Sequence, residues 1–578
     1  MKLVFDIETN GLYQDATEIW CMVAIDENDK VYTYNPDEID KGIELLQKAD
    51  KIIGHNIIGF DLPIIKKLKG VDLTNHKGIV DTLVISRLLN PVRDGGHSLE
   101  KWGWKLGSAK QDKPDFTSFS DEMMTYCVQD TKLNKLVYHK LQQDAKGFSK
   151  ECVDLEHQTS KILQQQYETG FLFDEKQAMM LLSSLNKRKT EIEKEVHATF
   201  KPKWVDVKRV IPKLKKDGTL SKSGLTNIEY DERVKTNDTT PFMRKQLKEF
   251  NLGSRQQIGQ YLKDFGWKPR RFTPTGQPIV DEGTLKEITH IHEAKLIAEY
   301  LLIQKRAAQV ESWVDACQDD NRVHGSVIST GAITGRMTHR NPNMAQVPSI
   351  YSEYGKECRS CWTVPEGYKL VGIDASQLEL RLLAHYMASE DYINEIINGD
   401  IHTANQRLAG LKSRDEAKTF IYALIYGAGD EKIGRIIGGS KSAGRKLRER
   451  FLSSNTAFKH LKDRVDRAAR KKYLKGLDGR LITLRHQHAA LNTLLQGGGA
   501  IAMKKAMCIL QELINLNTLD AKFVANIHDE WQLQVKESQA DYVGRLGVEC
   551  IEKAGQHFNM RCPLTGEYKI GGDWSETH

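Results

Sequence analysis

Long apolar runs are missing from this 578-residue chain, and none approaches the roughly 18 residues that cross a bilayer. That speaks against a helical membrane protein. The opening MKLVFDIETNG holds one lysine and then acids, without an apolar core or a cleavage site, so it does not read as a secretory leader. Cysteine is scarce and unframed. The nine thiols are scattered, and the lone CxxC of Cys358 and Cys361 lacks the second pair of a zinc finger. Free thiols fit a reducing cytoplasm, which is the expected location. Internal repeats and low-complexity tracts are lacking. The excess of positive charge is small, net +7, which permits a polyanionic partner without requiring one.

What is present is ordinary globular composition, 40% hydrophobic and 28% charged, over a length that suggests three or four domains. Residues 1–150 alternate short β-rich runs (KLVFDI, KVYTYN, KIIGHN) with helical patterns, which predicts an α/β layer. Residues 151–200 read as helical, with Leu155, Ile162 and Leu163 in register. The segment from about 201 to 255 is basic, punctuated by Pro and Gly and without periodicity, so it reads as an exposed insertion. Helical character returns at LKEITHIHEAKLIAEYLLIQKR. A second strand-bearing region starts near YKLVGIDAS, basic helices follow from about 395 to 475, and the last stretch mixes a helix, a hairpin and a short tail.

Chemistry concentrates where apolar strands meet acids. In FVANIHDEWQLQV, the run His528-Asp529-Glu530 interrupts an apolar hairpin, and desolvated carboxylates there cost several kcal/mol unless something compensates them. In KLVGIDASQLELRLLAHY, Asp374 ends another apolar strand. If the strands are neighbours, Asp374 and Asp529 converge on one rim, where two divalent cations about 4 Å apart can hold an in-line phosphoryl transfer. Mg²⁺ suits such a site. RDEAKTFIYALIYGAG sets Arg414, Lys418 and Tyr422 at four-residue steps on one helix face, with Tyr426 on the same face and Gly427 ending the pattern. Two cations and an aromatic there can bind a triphosphate and stack on a base or sugar.

A second constellation opens the chain. Asp6 and Glu8 alternate along one strand and face the same side. Asp61 opens a helical pattern after the apolar run KIIGHN, and Tyr126 and Asp130 share one helix face. Four carboxylates and a tyrosine so placed can hold two metals and orient a water.

These residues carry a family likeness. Asp6-x-Glu8, Asn56 to Asp61 and Tyr126-x-x-x-Asp130 resemble the three motifs of the tyrosine-bearing DEDD-type 3′–5′ exonucleases. DASQLELR, KTFIYALIYG and HDE resemble the three polymerase motifs of family A DNA polymerases. TGAITGRMTHRNPNMAQVPS resembles that family's primer–template segment before the palm, and LNTLLQGGGA its helix carrying a template-contacting glutamine. The likeness spans nearly the whole chain. It is strongest toward the replicative polymerases of T-seven-type short-tailed bacteriophages, through DIHTANQ, AKTFIYALIYGAGDEKIG, KGLDGR and HAALNTLLQ.

The resemblance implies an α/β multidomain protein. An RNase H-like 3′–5′ exonuclease over 1–150 would precede a right-hand polymerase. Its thumb would span 151–320 with the basic insertion at about 200–255, its palm 321–386 and 492–578, and its fingers 387–491. No 5′ nuclease domain is expected. By carry-over, Asp374 and Asp529 would ligate two Mg²⁺ ions, Mn²⁺ being able to substitute, with help from the Ala375 carbonyl. His528 and Glu530 would flank the primer terminus. His402, Arg414 and Lys418 would hold the incoming triphosphate, and Lys418 is the candidate general acid for pyrophosphate departure. Tyr422 would face the sugar and imply tolerance of dideoxynucleotides, Glu379 would gate against a 2′-hydroxyl, and Tyr426 would cap the templating pair. Arg336 and Gln496 would read minor-groove acceptors shared by all correct pairs. In the exonuclease, Asp6, Glu8, Asp61 and Asp130 would hold two metals and Tyr126 would orient the attacking water.

The expected partners are primer–template DNA and dNTPs, with a phage helicase–primase and a single-stranded-DNA-binding protein beside them in the host cytoplasm. Coliphage relatives recruit host thioredoxin through a long thumb insertion. The region here is shorter and basic (Lys201, Lys203, Lys208, Arg209, Lys213, Lys215, Lys216, Lys222), so direct contact with the DNA backbone is expected instead. Two other classes compete: a single-subunit RNA polymerase, disfavoured by Glu379 and the linked exonuclease, and a DNA-binding protein without chemistry, disfavoured because every metal-ligand position is filled.

Overall fold

Residues 1–108 and 113–577 are described by a computed structural model. They form two units, one of Met1–Asp174 with the chain from Ala316 on, and one of Glu175–Asp315.

The first unit begins with a five-stranded sheet in the order Val31–Tyr34, Ile19–Asp26, Lys2–Thr9, Lys51–Gly54, Ile79–Asp81. The first three strands pair antiparallel and the last three parallel, which is the RNase H-like arrangement. Alternation along Lys2–Thr9 explains how it is held. Leu3, Phe5 and Ile7 enter a core with Met22, Ile43, Ile52 and Leu62, each worth about 1.5–3 kcal/mol of burial. The intervening residues, Asp6 and Glu8 among them, lie on the opposite face. On that face Cys21, Val23 and Ile25 pack against Met123 and Cys127 of the helix Asp121–Asp144, which Ser120 caps by accepting from Met123 N at 3.1 Å.

A second sheet is antiparallel throughout, in the order Ala521–Ile527, Glu530–Lys536, Tyr368–Ala375, Gly566–Gly571. Against it lie the helices Leu378–Met387, Ala490–Leu516 and Ala540–His557, whose apolar faces share one core. Three successive glycines inside Ala490–Leu516 cost about 0.5–1 kcal/mol each relative to alanine. They let side chains approach closely: a Cβ on Gly497 would sit 2.6 Å from Ile482, and those on Gly498 and Gly499 about 3 Å from Leu382 and Leu378. The helices between Glu390 and Ala469 insert between the two parts of this layer in sequence.

The second unit pairs the helices Glu175–Thr199 and His292–Val314, joined by Arg188 to Glu299 at 2.7 Å and Tyr300 to Glu193 at 3.0 Å. The basic segment, read from sequence as irregular, contains an antiparallel ribbon of Lys203–Val210 and Phe242–Lys248 with the helix Asn227–Arg233 between them. Most ribbon residues are exposed, so no one-sided apolar alternation marked them as strands. The C-terminal region read as a short tail contains the sheet strand Gly566–Gly571.

Candidate active sites

The polymerase candidates gather where the second sheet ends. Tyr368–Ala375 runs antiparallel to Glu530–Lys536 with Asp374 opposite Glu530, and Ala375 N donates to Asp529 O at 3.2 Å. Asp374 and Asp529, far apart in sequence, therefore occupy one strand end, both half-buried. The turn between the hairpin strands is only His528-Asp529. His528 is exposed and adopts φ +57°, a left-handed conformation costing about 1 kcal/mol in a non-glycine residue.

Glu530 follows the turn and is held by protein partners. Its carboxylate is buried, accepts from Gln532 Nε2 at 2.6 Å and Trp574 Nε1 at 2.8 Å, and lies 3.9 Å from Arg359. Pairing across the ladder puts it on the same face of the sheet as Asp374, beside Trp574. Gly372 belongs to the same face, where a Cβ would meet Thr577 O at 2.4 Å.

Arg414, Lys418 and Tyr422 share one face of the helix Arg414–Ile425, whose start is fixed by a capping box of Ser413 and Glu416. Burial raises the Tyr422 phenol pKa, and the charges of Glu379 and Asp529 raise it further, which sets this helix face beside the acids. Tyr422 lies 6.2 Å from the Tyr426 ring and 6.3 Å from His402. Gly427 then turns the chain at φ +72°, where a Cβ would meet His488 O at 2.6 Å.

Glu379 is a hub. Its Oε1 accepts from Arg336 Nη2 at 3.2 Å and its Oε2 from Tyr426 OH at 2.8 Å. Gln496 stands half-buried on Ala490–Leu516. His402 is buried and its Nδ1 has no hydrogen-bond partner among the described residues. Burial and then Arg414 lower its pKa. Sequence reasoning missed Asp400, which pairs with Arg414 through Nε–Oδ2 at 2.6 Å and Nη2–Oδ1 at 3.2 Å while capping the helix that bears His402. An acid immediately before a helix was the available signal.

Behind Arg336 lies a buried ion cluster that the sequence did not disclose. Lys504 Nζ contacts Glu156 Oε1 at 2.6 Å and Gly335 O at 2.9 Å, and Arg480 bridges Glu156 at 2.7 Å and Asp478 at 2.6 Å. Burial by itself would raise the Glu156 pKa, but Lys504 and Arg480 outweigh it and hold it at about 2.

The exonuclease candidates also come together. Ligand atoms of Asp6, Glu8 and Cys127 lie within 4.8 Å of one another. Asp61 Oδ1 accepts from Ile7 N at 3.3 Å, placing it against the same strand, and burial followed by the charge of Asp81 raises its pKa. Tyr126 and Asp130 lie one turn apart on Asp121–Asp144, both buried. The Cys127 thiol, held well above its ordinary pKa mainly by burial, stays protonated. That leaves a donor set of carboxylate oxygens, the chemistry that hard divalent cations select.

Comparison with known proteins agrees with this geometry. Residues 225–576 match the family model for DNA polymerase family A. The DNA-directed DNA polymerases of Enterobacteria phage T3 and Escherichia phage T7 are 34% and 33% identical, with all of each chain covered. DNA polymerase I of Pseudomonas aeruginosa is 27% identical over 57% of this chain and 39% of its own length. Among solved structures, the POL domain of Pol1 from M. smegmatis in complex with DNA primer–template and dNTP superposes with a TM-score of 0.81 at 18% identity, covering 99% of this chain and 96% of that one. The chain belongs to DNA polymerase family A, whose members are DNA polymerases that use divalent metal ions.

Proposed function

We propose that the chain is a template-directed DNA polymerase that replicates phage DNA and proofreads with its own 3′–5′ exonuclease. The observation that carries the polymerase half is the bond from Ala375 N to Asp529 O, because it joins two distant acids at one strand end. Asp374, Asp529 and the carbonyl of Ala375 would hold two Mg²⁺ ions, or Mn²⁺ in their place. Bound there, paired ions neutralise charge on the attacking and leaving oxygens of an in-line displacement.

The chain's own groups do the rest. Arg414, Lys418 and His402 grip the triphosphate, and Lys418 gives a proton to departing pyrophosphate. Tyr422 packs on the sugar and Glu379 fills the space a 2′-hydroxyl needs. Tyr426 caps the templating pair, and Arg336 and Gln496 test the minor groove of the new pair. Glu530 and His528 flank the primer terminus. In the exonuclease, Asp6, Glu8, Asp61 and Asp130 hold the metals and Tyr126 orients the attacking water. A mismatched end frays, and only single strand enters such a site.

Primer–template DNA and dNTPs are the substrates, with a helicase–primase and a single-stranded-DNA-binding protein as partners in the host cytoplasm. The exposed basic ribbon grips DNA directly in place of host thioredoxin. The test is extension of a primed template with Mg²⁺ and dNTPs, run beside digestion when dNTPs are withheld. Equal use of rNTPs would replace this reading with an RNA polymerase, and failure to digest would remove the proofreading half.

A further inference from the structure

Residues 330–336 form a tight loop whose last residue, Arg336, reaches Glu379 at 3.2 Å. The loop closes on itself. The amides of Gly331 and Ala332 donate to Arg336 O at 3.3 and 3.1 Å, and that of Gly335 donates to Ala332 O at 2.9 Å. Gly335 sits at φ +80°, a conformation glycine adopts freely, and a Cβ on it would stand 3.3 Å from Arg480 Nη1.

One buried side chain ties this loop to the core beneath it. Lys504 is 1% exposed, and its ammonium has three N–H groups, all of them used. They go to Glu156 Oε1 at 2.6 Å, to Gly335 O at 2.9 Å and to Thr330 Oγ1 at 3.4 Å. Glu156 also accepts from Arg480, which pairs with Asp478, so two cations and two anions balance out of reach of water. Replacing a buried ion cluster by apolar groups of similar volume is often neutral or stabilising, so stability alone accounts poorly for this one. Its Lys504 end holds the peptide unit that joins Gly335 to Arg336.

The helix Ala490–Leu516 that bears Lys504 also bears Gln496, two turns or about 12 Å nearer its start. We propose that Lys504 is a positioning residue: by gripping the Gly335 carbonyl it sets the spacing between Arg336, on the loop, and Gln496, on its own helix. The inference rests on the reading of Arg336 and Gln496 as sensors of the minor groove. Two sensors judge the shape of a base pair only if their separation is fixed, and acceptors common to all correct pairs then serve as the marks they measure. Glu156 shares the role by holding the ammonium in place.

The test is single-turnover extension of primers whose terminal pair is natural or carries a deaza base, in which carbon replaces the minor-groove ring nitrogen. The analogue is placed on the primer or on the template strand, and Arg336→Ala identifies the acceptor that Arg336 reads. Wild type should extend the natural terminus roughly tenfold faster than that analogue, the share of one charge-assisted hydrogen bond. Lys504→Met should extend both at one slow rate, and Lys504→Arg, which keeps a donor near the carbonyl, should regain part of the ratio. A chain that is only less stable slows on both and keeps the ratio. If Lys504→Met does not fold, the double variant Lys504→Met with Glu156→Gln takes its place, since it removes one charge of each sign. A wild-type ratio persisting in the folded variant overturns the inference. If no ratio in wild type depends on Arg336, the minor-groove reading fails by itself, and hydrogen exchange of the full chain decides. Faster exchange of the Gly331, Ala332 and Gly335 amides in the variant upholds the positioning role, and unchanged exchange overturns it.

Discussion

Ala375 donates its amide proton to the carbonyl of Asp529 at 3.2 Å, so the end of one strand is tied to the turn of a hairpin made much later in the chain. Replacing Asp374 or Asp529 by Ala leaves this backbone bond intact and removes only a carboxylate. Charge stabilisation at such a site is worth several kcal/mol, so primer extension should fall by about a thousandfold or more. Digestion of single strands by the same variants should continue, and parallel loss of both activities would mean the acids support folding instead.

Glu379 holds Arg336 and Tyr426 at once, so its removal frees two groups proposed to surround the nascent pair. Each hydrogen bond to a charged group contributes about 1.5–3 kcal/mol, and Glu379→Ala should lower kcat/KM for dNTPs at least tenfold. The space it vacates should also narrow discrimination against rNTPs. Single-turnover incorporation of dCTP and CTP checks both, and an unchanged ratio would refute a gating role.

Tyr422→Phe keeps the ring and deletes one hydroxyl. If that hydroxyl substitutes for a missing sugar 3′-hydroxyl, dideoxynucleotide incorporation should drop by roughly tenfold, about one hydrogen bond. Ordinary dNTP incorporation should barely change. Chain-termination assays at matched dNTP and ddNTP concentrations read this directly.

The buried cluster of Glu156, Lys504 and Arg480 makes a prediction about pH. The Glu156 pKa is near 2 in the folded chain and near 4.5 when unfolded, so its contribution is complete above about 4.5 and disappears as pH falls toward 2. Lys504, lowered to about 8 chiefly by burial, opposes folding below that value and ceases to do so as pH rises toward its unfolded pKa. Glu156→Gln leaves two buried cations short of a counter-charge and should destabilise the fold by about 3–5 kcal/mol. Urea denaturation across pH 3–8 should show the wild-type loss on the acid side reduced in the variant.

Arg414 is exposed and engaged by Asp400, which would compete with the triphosphate that Arg414 is proposed to hold. Asparagine can still cap the helix that Asp400 starts, so Asp400→Asn should preserve the fold and lower KM for dNTPs only a few-fold. The gain should vanish at high salt, since exposed charges are screened.

The strands and helices bearing acids were legible because each joins a strong apolar run to a polar interruption. Lys2–Thr9, Tyr368–Ala375 and the hairpin around His528 all announce themselves that way. Residue spacing also gave the face of Arg414–Ile425, since one helix repeat sets it. What stayed hidden depends on partners distant in sequence. Glu530 resembles its neighbour Asp529 in one dimension, and only the packing of Trp574 and Arg359 turns it inward. The Glu156 cluster draws on four separate segments, and the ribbon Lys203–Val210 buries too little on either side to leave a periodic trace.

The strand Gly566–Gly571 completes the sheet that carries Asp374 from the side opposite the hairpin. During synthesis, every helix between Glu390 and Ala469 and the hairpin itself emerge before that last partner exists. Local structure can form in the order of synthesis, so the five-stranded sheet that ends at Asp81 is complete on the ribosome while the sheet carrying Asp374 waits for its last strand. If the proposed exonuclease reading holds, a message truncated before this strand would deliver a digesting site without a complete sheet around Asp374 to rebuild what is removed, which would make intact translation of the 3′ end of the gene a safeguard for the template.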